Sequence, residues 1–323
     1  MVATVSARCV IGVDVGGTKL LAGVVDDELN IRHRAQRSSQ ELSGPALLDA
    51  LVAMVTEAAA TADCEVAGVG FGVPGVIDRR RGVIAASPHL PLQDVRFQAV
   101  MAERLGLPVA VDNDANCAML AEWRHGAARG ANDAVMLTVG TGIGGGVVTG
   151  GQLLRGASGG GAELGHMVIQ FDGPPCGGDC PGFGHFEWYA SGNAIGRAGS
   201  ASALANPESV LGRQQLAGRE ITGALVTEVA HDGDAHAEDA VEQVGRVLGL
   251  GIVTLVNVFN PEIVVIGGGA VAAGELLLGP ARAMLAEQAM PSMRELARIE
   301  PAHFGAEAGL LGAATLAFEE LAA

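Results

Sequence analysis

A pattern of strand, glycine-rich turn and strand occurs twice in this chain, and this repeat limits the possible folds more than any other feature. Residues 10–26 read as an apolar strand, a tight turn at 16–18 and a second apolar strand, and residues 135–149 repeat the pattern around 140–142. The strings DVGGTKLLAGVV and TVGTGIGGGVV align with one residue of slack. Because the repeat is too long for a solenoid period, we expect one hairpin in each of two lobes of a duplicated α/β fold.

Apolar periodicity places further elements around the two hairpins. We expect helices near 45–62, 115–126, 241–255 and 307–321 and strands at 66–71, 109–111 and 263–266. The strand at 109–111 delivers Asp112, Asn113 and Asp114 to a loop, where either Asn113 or Asp114 would cap the next helix. The expected N-terminal lobe covers residues 1–115, joined by the C-terminal helix 306–323, and the larger lobe covers 116–305 with a distinctive loop at 166–187.

The composition argues against several classes of function. A formal net charge of -16 repels phosphate polymers, so we do not expect nucleic-acid binding. The apolar run at 247–259 is shorter than a membrane span, and the N-terminal sequence lacks the pattern of a secretion signal. Cys9, Cys64 and Cys117 each stand alone in an apolar or helical pattern, which favours unpaired thiols in a reducing compartment. We therefore expect a cytoplasmic protein with no membrane partner.

Three glycine-rich turns follow apolar strands, where backbone N–H groups can approach a phosphate. They lie at 16–17, 140–146 and 267–269. The first lacks Walker spacing, and the second matches G-x-G-x-x-G but leads into a strand, which disfavours a dinucleotide-binding fold. Lys19, beside the first turn, is the single lysine of the chain. One such turn alone would be an ordinary hairpin, but three turns and a repeat together indicate phosphate binding.

These features resemble the two-lobed, ribonuclease H-like ATPase core shared by actin, Hsp70-type chaperones and sugar kinases. Six motifs in order narrow the resemblance to the ROK family of kinases and repressors: GVDVGGTK, GVPGVID, DNDANCAMLAEWRHGAARG, LTVGTGIGGGVVTGG, GGGAELGHMVI and NPEIVVIGGG. The resemblance runs from Val10 to the final helix and implies that nucleotide and sugar bind in the cleft between the lobes. Repressors of this family carry a helix-turn-helix domain before the kinase-like body, whereas here the first hairpin begins at Val10.

The resemblance also implies roles for individual residues. Asp114 would be the general base, and Asp14, at the end of the first strand, would organise Mg²⁺. The implied sugar-binding residues are Gly75, Asn113, Glu163, His166 and Glu187. The implied nucleotide-binding residues are Asp14, Gly16, Gly17, Thr18, Lys19, Thr141, Gly142, Gly268 and Gly269. The residues themselves support this chemistry, because a loop with two acids and an amide is richer than a helix cap requires, and such side chains select sugars by hydroxyl position.

A loop rich in cysteine and histidine is the second specific signal. Cys176, Cys180 and His185 lie within ten residues, and His166 precedes them. Many ROK proteins carry C-x-C-G-x-x-G-C here with an upstream histidine, whereas this chain has a longer first gap and His185 in place of the last cysteine. The resulting Cys₂His₂ set predicts a structural Zn²⁺ site, with a loop that binds no metal as the alternative. Zinc would orient His166 and Glu187 toward the sugar.

The resemblance as a whole implies a glucokinase that uses ATP·Mg²⁺ to phosphorylate the 6-hydroxyl of glucose in glycolysis. Kinases of N-acetylmannosamine, N-acetylglucosamine, allose or fructose are the nearest alternatives, and the strings ELGH and FEWYASG favour glucose. A sugar-sensing regulator without catalysis is the alternative of another class, against which the retained Asp114 and turn glycines argue. The family further implies a homodimer or a homotetramer.

Overall fold

The structure is a computed structural model that describes residues 8–88, 90–177 and 180–322. The described chain divides into two compact units. The first unit takes in the described parts of residues 1–129, 153–162 and 307–323, and the second takes in those of 130–152 and 163–306. The first unit extends beyond residue 115, because it contains the helix that begins at Asp114, and it also includes a short segment at 153–162.

Thirteen strands are assigned within the described residues. They are Arg8–Val15 (β1), Lys19–Asp26 (β2), Ile31–Ser38 (β3), Glu65–Val73 (β4), Val76–Asp78 (β5), Val83–Ala86 (β6), Gln93–Val95 (β7), Val109–Asn113 (β8), Ala134–Val139 (β9), Ile143–Thr149 (β10), Gln152–Leu153 (β11), Ile263–Gly267 (β12) and Arg298–Pro301 (β13). The expected strands at 66–71, 109–111 and 263–266 are β4, β8 and β12. The expectation of a loop at Asp112 to Asp114 is wrong, because β8 continues through Asn113 and the next helix begins at Asp114.

The described helices include every one expected from the sequence. They are Gly44–Thr61 (α1), Phe97–Leu105 (α2), Asp114–Arg124 (α3), Phe186–Ala190 (α4), Gly192–Ala205 (α5), Val210–Leu216 (α6), Gly223–His231 (α7), Ala235–Phe259 (α8), Glu275–Gln288 (α9), Pro291–Arg294 (α10) and Ala308–Ala322 (α11), with 3₁₀ turns at Leu164–His166, Gly269–Ala273 and Gly305–Glu307. Helix α8 ends at Asn260, which takes the left-handed conformation directly before Pro261.

The two units are built on the same sheet topology, which confirms the duplication inferred from the repeat. In the first unit the strand order is β3-β2-β1-β4-β8, with an antiparallel β1–β2 hairpin and parallel pairs β1–β4 and β4–β8. In the second the order is β11-β10-β9-β12-β13, with an antiparallel β9–β10 hairpin and parallel pairs β9–β12 and β12–β13. The strands β5, β6 and β7 form a separate antiparallel sheet in the first unit.

Close backbone contacts attach the last helix to the first unit. A Cβ atom on Gly70 of β4 would lie 1.8 Å from the Ala313 carbonyl oxygen, and one on Gly312 would lie 1.7 Å from the Cys117 carbonyl oxygen. Any residue other than glycine would therefore force α11 away from β4 and α3. This contact fixes the C-terminal helix in the first unit, where the sequence also placed it.

A disulfide joins Cys9 to Cys64, so the expectation that these two cysteines stand alone is wrong. Cys9 begins the buried part of β1, and Cys64 directly precedes β4. Because β1 and β4 are parallel neighbours, their first residues lie side by side, with 6.0 Å between the two Cα atoms. The apolar residues around these two cysteines belong to the buried sheet of the first unit. Its neighbouring strands β1 and β4 bring the two thiols together.

Two helices, α1 and α8, are long and apolar enough to cross a membrane. Both put apolar side chains into the protein interior, such as Leu47 and Leu51 of α1 and Val241 and Leu248 of α8. The apolar run at 247–259 is the second half of α8. Since core helices share this length and hydropathy, the two helices are weak indications of a membrane span.

Candidate functional site

Two carboxylates meet at the carboxyl ends of strands in the first unit. Asp14 is the penultimate residue of β1, and Asp114 is the first residue of α3, directly after β8. Burial raises the pKa of Asp14 to about 6; the nearby Asp114 carboxylate adds to this rise, and Lys19 opposes it. Gly309 in the first turn of α11 leaves room for Asp14, because a Cβ there would lie 2.8 Å from the carboxyl carbon. Two carboxylates this close favour either a cation bound between them or a proton shared by them.

Asn113 is tied both to the helix that follows it and to Gly75. Its side-chain oxygen accepts a hydrogen bond from the Asn116 N–H at 3.0 Å, so Asn113 rather than Asp114 is the N-cap of α3. Its amide nitrogen donates to the Gly75 carbonyl at 3.2 Å. Gly75 has φ of 119°, and a Cβ there would lie 2.2 Å from the Ala86 carbonyl oxygen, so only glycine fits. The structure therefore brings together Gly75, Asn113 and Asp114, three of the predicted site residues.

The first glycine turn is a closed hairpin with exposed residues at its tip. The Gly16 N–H donates to the Lys19 carbonyl at 2.9 Å, and Ser39 closes the turn from the side by donating its hydroxyl to the Gly16 carbonyl at 2.7 Å. Gly17, Thr18 and Lys19 are exposed. The turn thus presents backbone and one ammonium group to solvent, as a phosphate-binding hairpin requires.

The second glycine turn is held by Glu187 of α4. The Ile143 N–H donates to one Glu187 carboxylate oxygen at 2.7 Å, and a Cβ on Gly142 would lie 2.3 Å from that oxygen. The Gly192 N–H at the start of α5 donates to the Gly140 carbonyl at 2.7 Å. Thr141 lies exposed at the tip of this turn. Glu187, predicted as a sugar ligand, therefore also braces the hairpin predicted to bind nucleotide.

The remaining predicted residues of the second unit surround the same hairpin. Gly268 has φ of 83°, and a Cβ there would lie 2.4 Å from the Val139 carbonyl at the end of β9; Gly269 follows it. Glu163 precedes the 3₁₀ turn that carries His166, and its carbonyl accepts from the His166 N–H at 3.1 Å. Glycine at 165 lets this turn touch β10, since a Cβ would lie 2.2 Å from the Ile143 carbonyl.

The cysteine and histidine loop brings together all four predicted metal ligands. The Nδ1 atoms of His166 and His185 lie 3.0 Å apart, and His166 Nδ1 lies 3.7 Å from both the Cys176 and the Cys180 sulfur. His185 Nδ1 lies 3.9 Å from the Cys180 sulfur. The four ligand atoms lie within 4.8 Å of one another. His185 is buried and His166 is exposed.

These distances fit a tetrahedral zinc ion. Zinc bonds of the usual length give tetrahedral edges of about 3.3 Å between two nitrogens and about 3.6 Å between nitrogen and sulfur. Burial, followed by the neighbouring Cys180, raises the pKa of the Cys176 thiol, because two adjacent sulfurs resist ionising together without a cation. Two thiols and two imidazoles are also ligand types that zinc prefers. His185 thus fits the place that a third cysteine holds in many related loops.

Sequence reasoning missed some residues that shape the site. Asp112 precedes Asn113 at the end of β8, yet its burial and its ion pair with Arg155 follow from the fold and not from a local pattern. Ser39 and Gly309, which contact the first turn and Asp14, lie far from both in sequence. Of these residues, Asp112 is the one that the sequence could have indicated, because Asp112 and Asp114 flank Asn113.

Comparison with known proteins gives a consistent result over nearly the whole chain. The sequence profile of the ROK family matches residues 10–320. A glucokinase of Streptomyces coelicolor is 36% identical over 317 residues, which are 96% of this chain and 97% of that protein. The crystal structure of a ROK family glucokinase from Streptomyces griseus in complex with glucose and AMPPNP superposes with a TM-score of 0.86 at 36% identity and covers 96% of this chain and 99% of that one.

Regulators are also among the relatives. The xylose repressor of Bacillus spizizenii is 27% identical over 314 residues, which are 96% of this chain and 77% of the repressor. Enzymes and regulators therefore share this fold, and the choice between them depends on the site residues.

Proposed function

The chain belongs to the ROK family, and from this premise we propose that it is an ATP-dependent glucokinase that transfers the γ-phosphate of ATP to the 6-hydroxyl of glucose. The observation that carries the proposal is the position of Asp114 beside Asn113 and close to Asp14. Phosphoryl transfer depends mainly on positioning and charge neutralisation, and one carboxylate at the attacking hydroxyl suffices as base. The Streptomyces glucokinases, which match almost end to end, support this reading.

Asp114 would accept the proton of the 6-hydroxyl while the hydroxyl oxygen forms its bond to the γ-phosphorus. The bond between that phosphorus and the bridging oxygen breaks, and ADP leaves with the electron pair. Asn113 would hold the sugar, because its amide is already fixed between Asn116 and Gly75. Asp114 is the first residue of α3, where the positive end of the helix dipole favours a negatively charged side chain.

The nucleotide would bind at the glycine turns of the two units. Bound Mg²⁺ would neutralise the phosphates, and Asp14 is the residue that would hold it, since a hard cation prefers carboxylate oxygen and water. Lys19 and the exposed backbone of Gly17 and Thr18 would contact phosphate in the first unit, and Gly16 would hold the turn in shape through its hydrogen bond to Lys19. Thr141, Gly142, Gly268 and Gly269 would do so in the second.

Three residues of the second unit would recognise the sugar ring. Glu163 and Glu187 would accept hydrogen bonds from ring hydroxyls, with one oxygen of Glu187 already bound to the Ile143 N–H. His166 would use its Nε2 for the sugar, since its Nδ1 faces the cysteine and histidine cluster. Zinc held by His166, Cys176, Cys180 and His185 would act structurally, by fixing the ring orientation of His166 and the start of α4, which carries Glu187.

Other sugars and another class of function are the alternatives. N-acetylmannosamine, N-acetylglucosamine and other hexoses differ from glucose at positions that the same acids would read. A sugar-sensing regulator is the alternative of another class, favoured by the similarity to the xylose repressor. Asp114 and the turn glycines, which a sensor has no chemical need to keep, support the enzyme. A homodimer or homotetramer and a cytoplasmic location stay predictions of the family resemblance.

The proposal is tested by measuring ADP release with ATP·Mg²⁺ and a panel of hexoses. We expect turnover that depends on glucose, and a loss of about 100- to 10,000-fold in kcat for Asp114→Asn, which keeps the shape of the side chain but cannot accept the proton. Asp49→Asn is the matched control, because Asp49 is an exposed acid of the same unit paired with Arg104. Glucose binding without turnover in the wild type would instead favour the sensor.

A further inference from the structure

Asp112 is a buried acid in β8, directly before Asn113 and Asp114. Only 2% of its surface is exposed. One carboxylate oxygen accepts from the Asn113 N–H at 2.8 Å and from the Asn116 side-chain amide at 3.2 Å. Asp112 therefore contacts the backbone of the residue before Asp114 and the first turn of α3. A shift of this carboxylate would disturb these hydrogen bonds at the junction of β8 and α3.

The charge of Asp112 is balanced by Arg155. The second carboxylate oxygen accepts from the Arg155 Nε at 2.7 Å, and a quarter of the Arg155 side chain is exposed. A buried carboxylate without a cation is strongly disfavoured, so removing Arg155 would displace Asp112 from this position. The hydrogen bonds to Asn113 and Asn116 would then change.

Arg155 itself is fixed by the glycines that follow it. The Gly161 N–H donates to the Arg155 carbonyl at 2.9 Å and closes the segment 155–161 into a loop. Gly159 has φ of 87°, and a Cβ there would lie 1.8 Å from the Ile77 carbonyl of β5. The loop therefore lies against β5 without intervening side chains, and β5 begins one residue after Gly75, which accepts from Asn113. The string RGASGGG has no other role in the site described above.

We propose that Arg155 is a positioning residue for phosphoryl transfer, which acts through Asp112 to hold Asn113 and Asp114 in their reactive arrangement. The inference rests on the proposed function and adds a residue that touches neither sugar nor nucleotide. It predicts that loss of Arg155 lowers kcat and weakens glucose binding through Asn113. The KM for ATP stays constant, because the ion pair that Arg155 makes within the described residues is with Asp112 and not with a glycine turn.

The test is a double-mutant cycle with steady-state kinetics in glucose and ATP. Arg155→Met is expected to lower kcat by at least tenfold, to raise the KM for glucose, and to leave the KM for ATP within twofold. The double variant Asp112→Asn with Arg155→Met is expected to be no slower than Arg155→Met alone, since it removes both charges. Arg155→Lys, which keeps the charge with a different donor geometry, is expected to be intermediate. Arg104→Met, which breaks an exposed ion pair of the same unit, is the control and should match the wild type.

Hydrogen exchange separates this inference from the proposed function. The amides of Asn113 and Asn116 should lose protection in Arg155→Met whether or not glucose is the substrate. If the wild type shows no glucose-dependent turnover, the proposed function is wrong, and amide protection in Arg155→Met then tests the role of Arg155 by itself. Unchanged amide protection, or a folded Arg155→Met with kcat within twofold of the wild type, would overturn the inference. If Arg155→Met does not fold, Arg155→Lys decides, and wild-type kcat together with wild-type amide protection in this variant would overturn the inference equally.

Discussion

The two units share a strand order and a glycine hairpin, yet one position separates their chemistry. Aligning DVGGT of the first hairpin with TVGTG of the second sets Asp14 against Thr138. Both are the penultimate residues of the strand that leads into the turn. The first unit thus has a carboxylate where the second has a hydroxyl. Both units therefore share the strand and the turn, but at this position only the first unit has a carboxylate, which is the group that suits a metal ion.

The surroundings of the two hairpins differ in the same sense. Around the first, Asp14, Asp112 and Asp114 gather negative charge within one unit. At the second, one oxygen of the Glu187 carboxylate accepts from the Ile143 N–H and so holds the turn itself. On the proposed function, the first unit would provide the groups that react, and the second would provide residues that hold the substrates in place. A common fold therefore does not imply a common role for its two copies.

The largest effect is expected when the first hairpin is given the residue of the second. Asp14→Thr should lower kcat by ~100- to ~1,000-fold at saturating substrates, since a group that holds Mg²⁺ is worth several kcal/mol in the transition state. Excess Mg²⁺ should rescue little of this loss. Asp27→Thr is the matched control, because Asp27 is an exposed acid that directly follows β2. Wild-type kcat in Asp14→Thr would mean that the two hairpins are chemically equivalent.

The same variant should reveal a cost of Asp14 to stability. The pKa of Asp14 is raised from 3.8 to about 6, so between these pH values the folded protein holds a proton that the unfolded chain has lost. The contribution of Asp14 to the free energy of unfolding therefore falls as pH rises from about 4 to about 6, by roughly 2–3 kcal/mol, and is constant above. In urea unfolding, we take the free energy of unfolding of Asp14→Thr minus that of the wild type. This difference should be more favourable to the variant at pH 7.5 than at pH 4 by the same amount. An equal difference at both pH values would contradict the raised pKa.

The sequence predicts the parts of this comparison that depend on local patterns. Each hairpin, the group of acids at the end of β8 and the set of four clustered ligands lies within a short segment with recognisable spacing. Alternation and glycine positions are enough to find them, because strand, turn and cap preferences act over a few residues. The repeat also identifies the duplicated topology, since two copies of one pattern require two copies of one sheet.

Contacts between distant residues lie outside the reach of local patterns. The Cys9 to Cys64 disulfide spans 55 residues, and the Arg155 to Asp112 pair spans 43. Both depend on which strands become neighbours, and an isolated apolar cysteine or a surface-like arginine gives no sign of it. Likewise the segment at 153–162 joins the first unit because glycines let it lie against β5, although its position in the sequence places it within the second.

The smallest expected effect tests the bracing of the second hairpin. Cys180→Ser should abolish stoichiometric zinc and loosen the loop that ends at His185, directly before α4 and Glu187. The KM for glucose is expected to rise by about tenfold, equivalent to ~1.4 kcal/mol, with a smaller change in kcat because the base lies in the first unit. Zinc content by atomic spectroscopy and the two KM values check this, with Cys117→Ser as the cysteine control away from the loop. If zinc is lost while both KM values keep their wild-type size, the cysteine and histidine loop does not position Glu187, and the hydrogen bond between Glu187 and the Ile143 N–H holds the second hairpin without help from zinc.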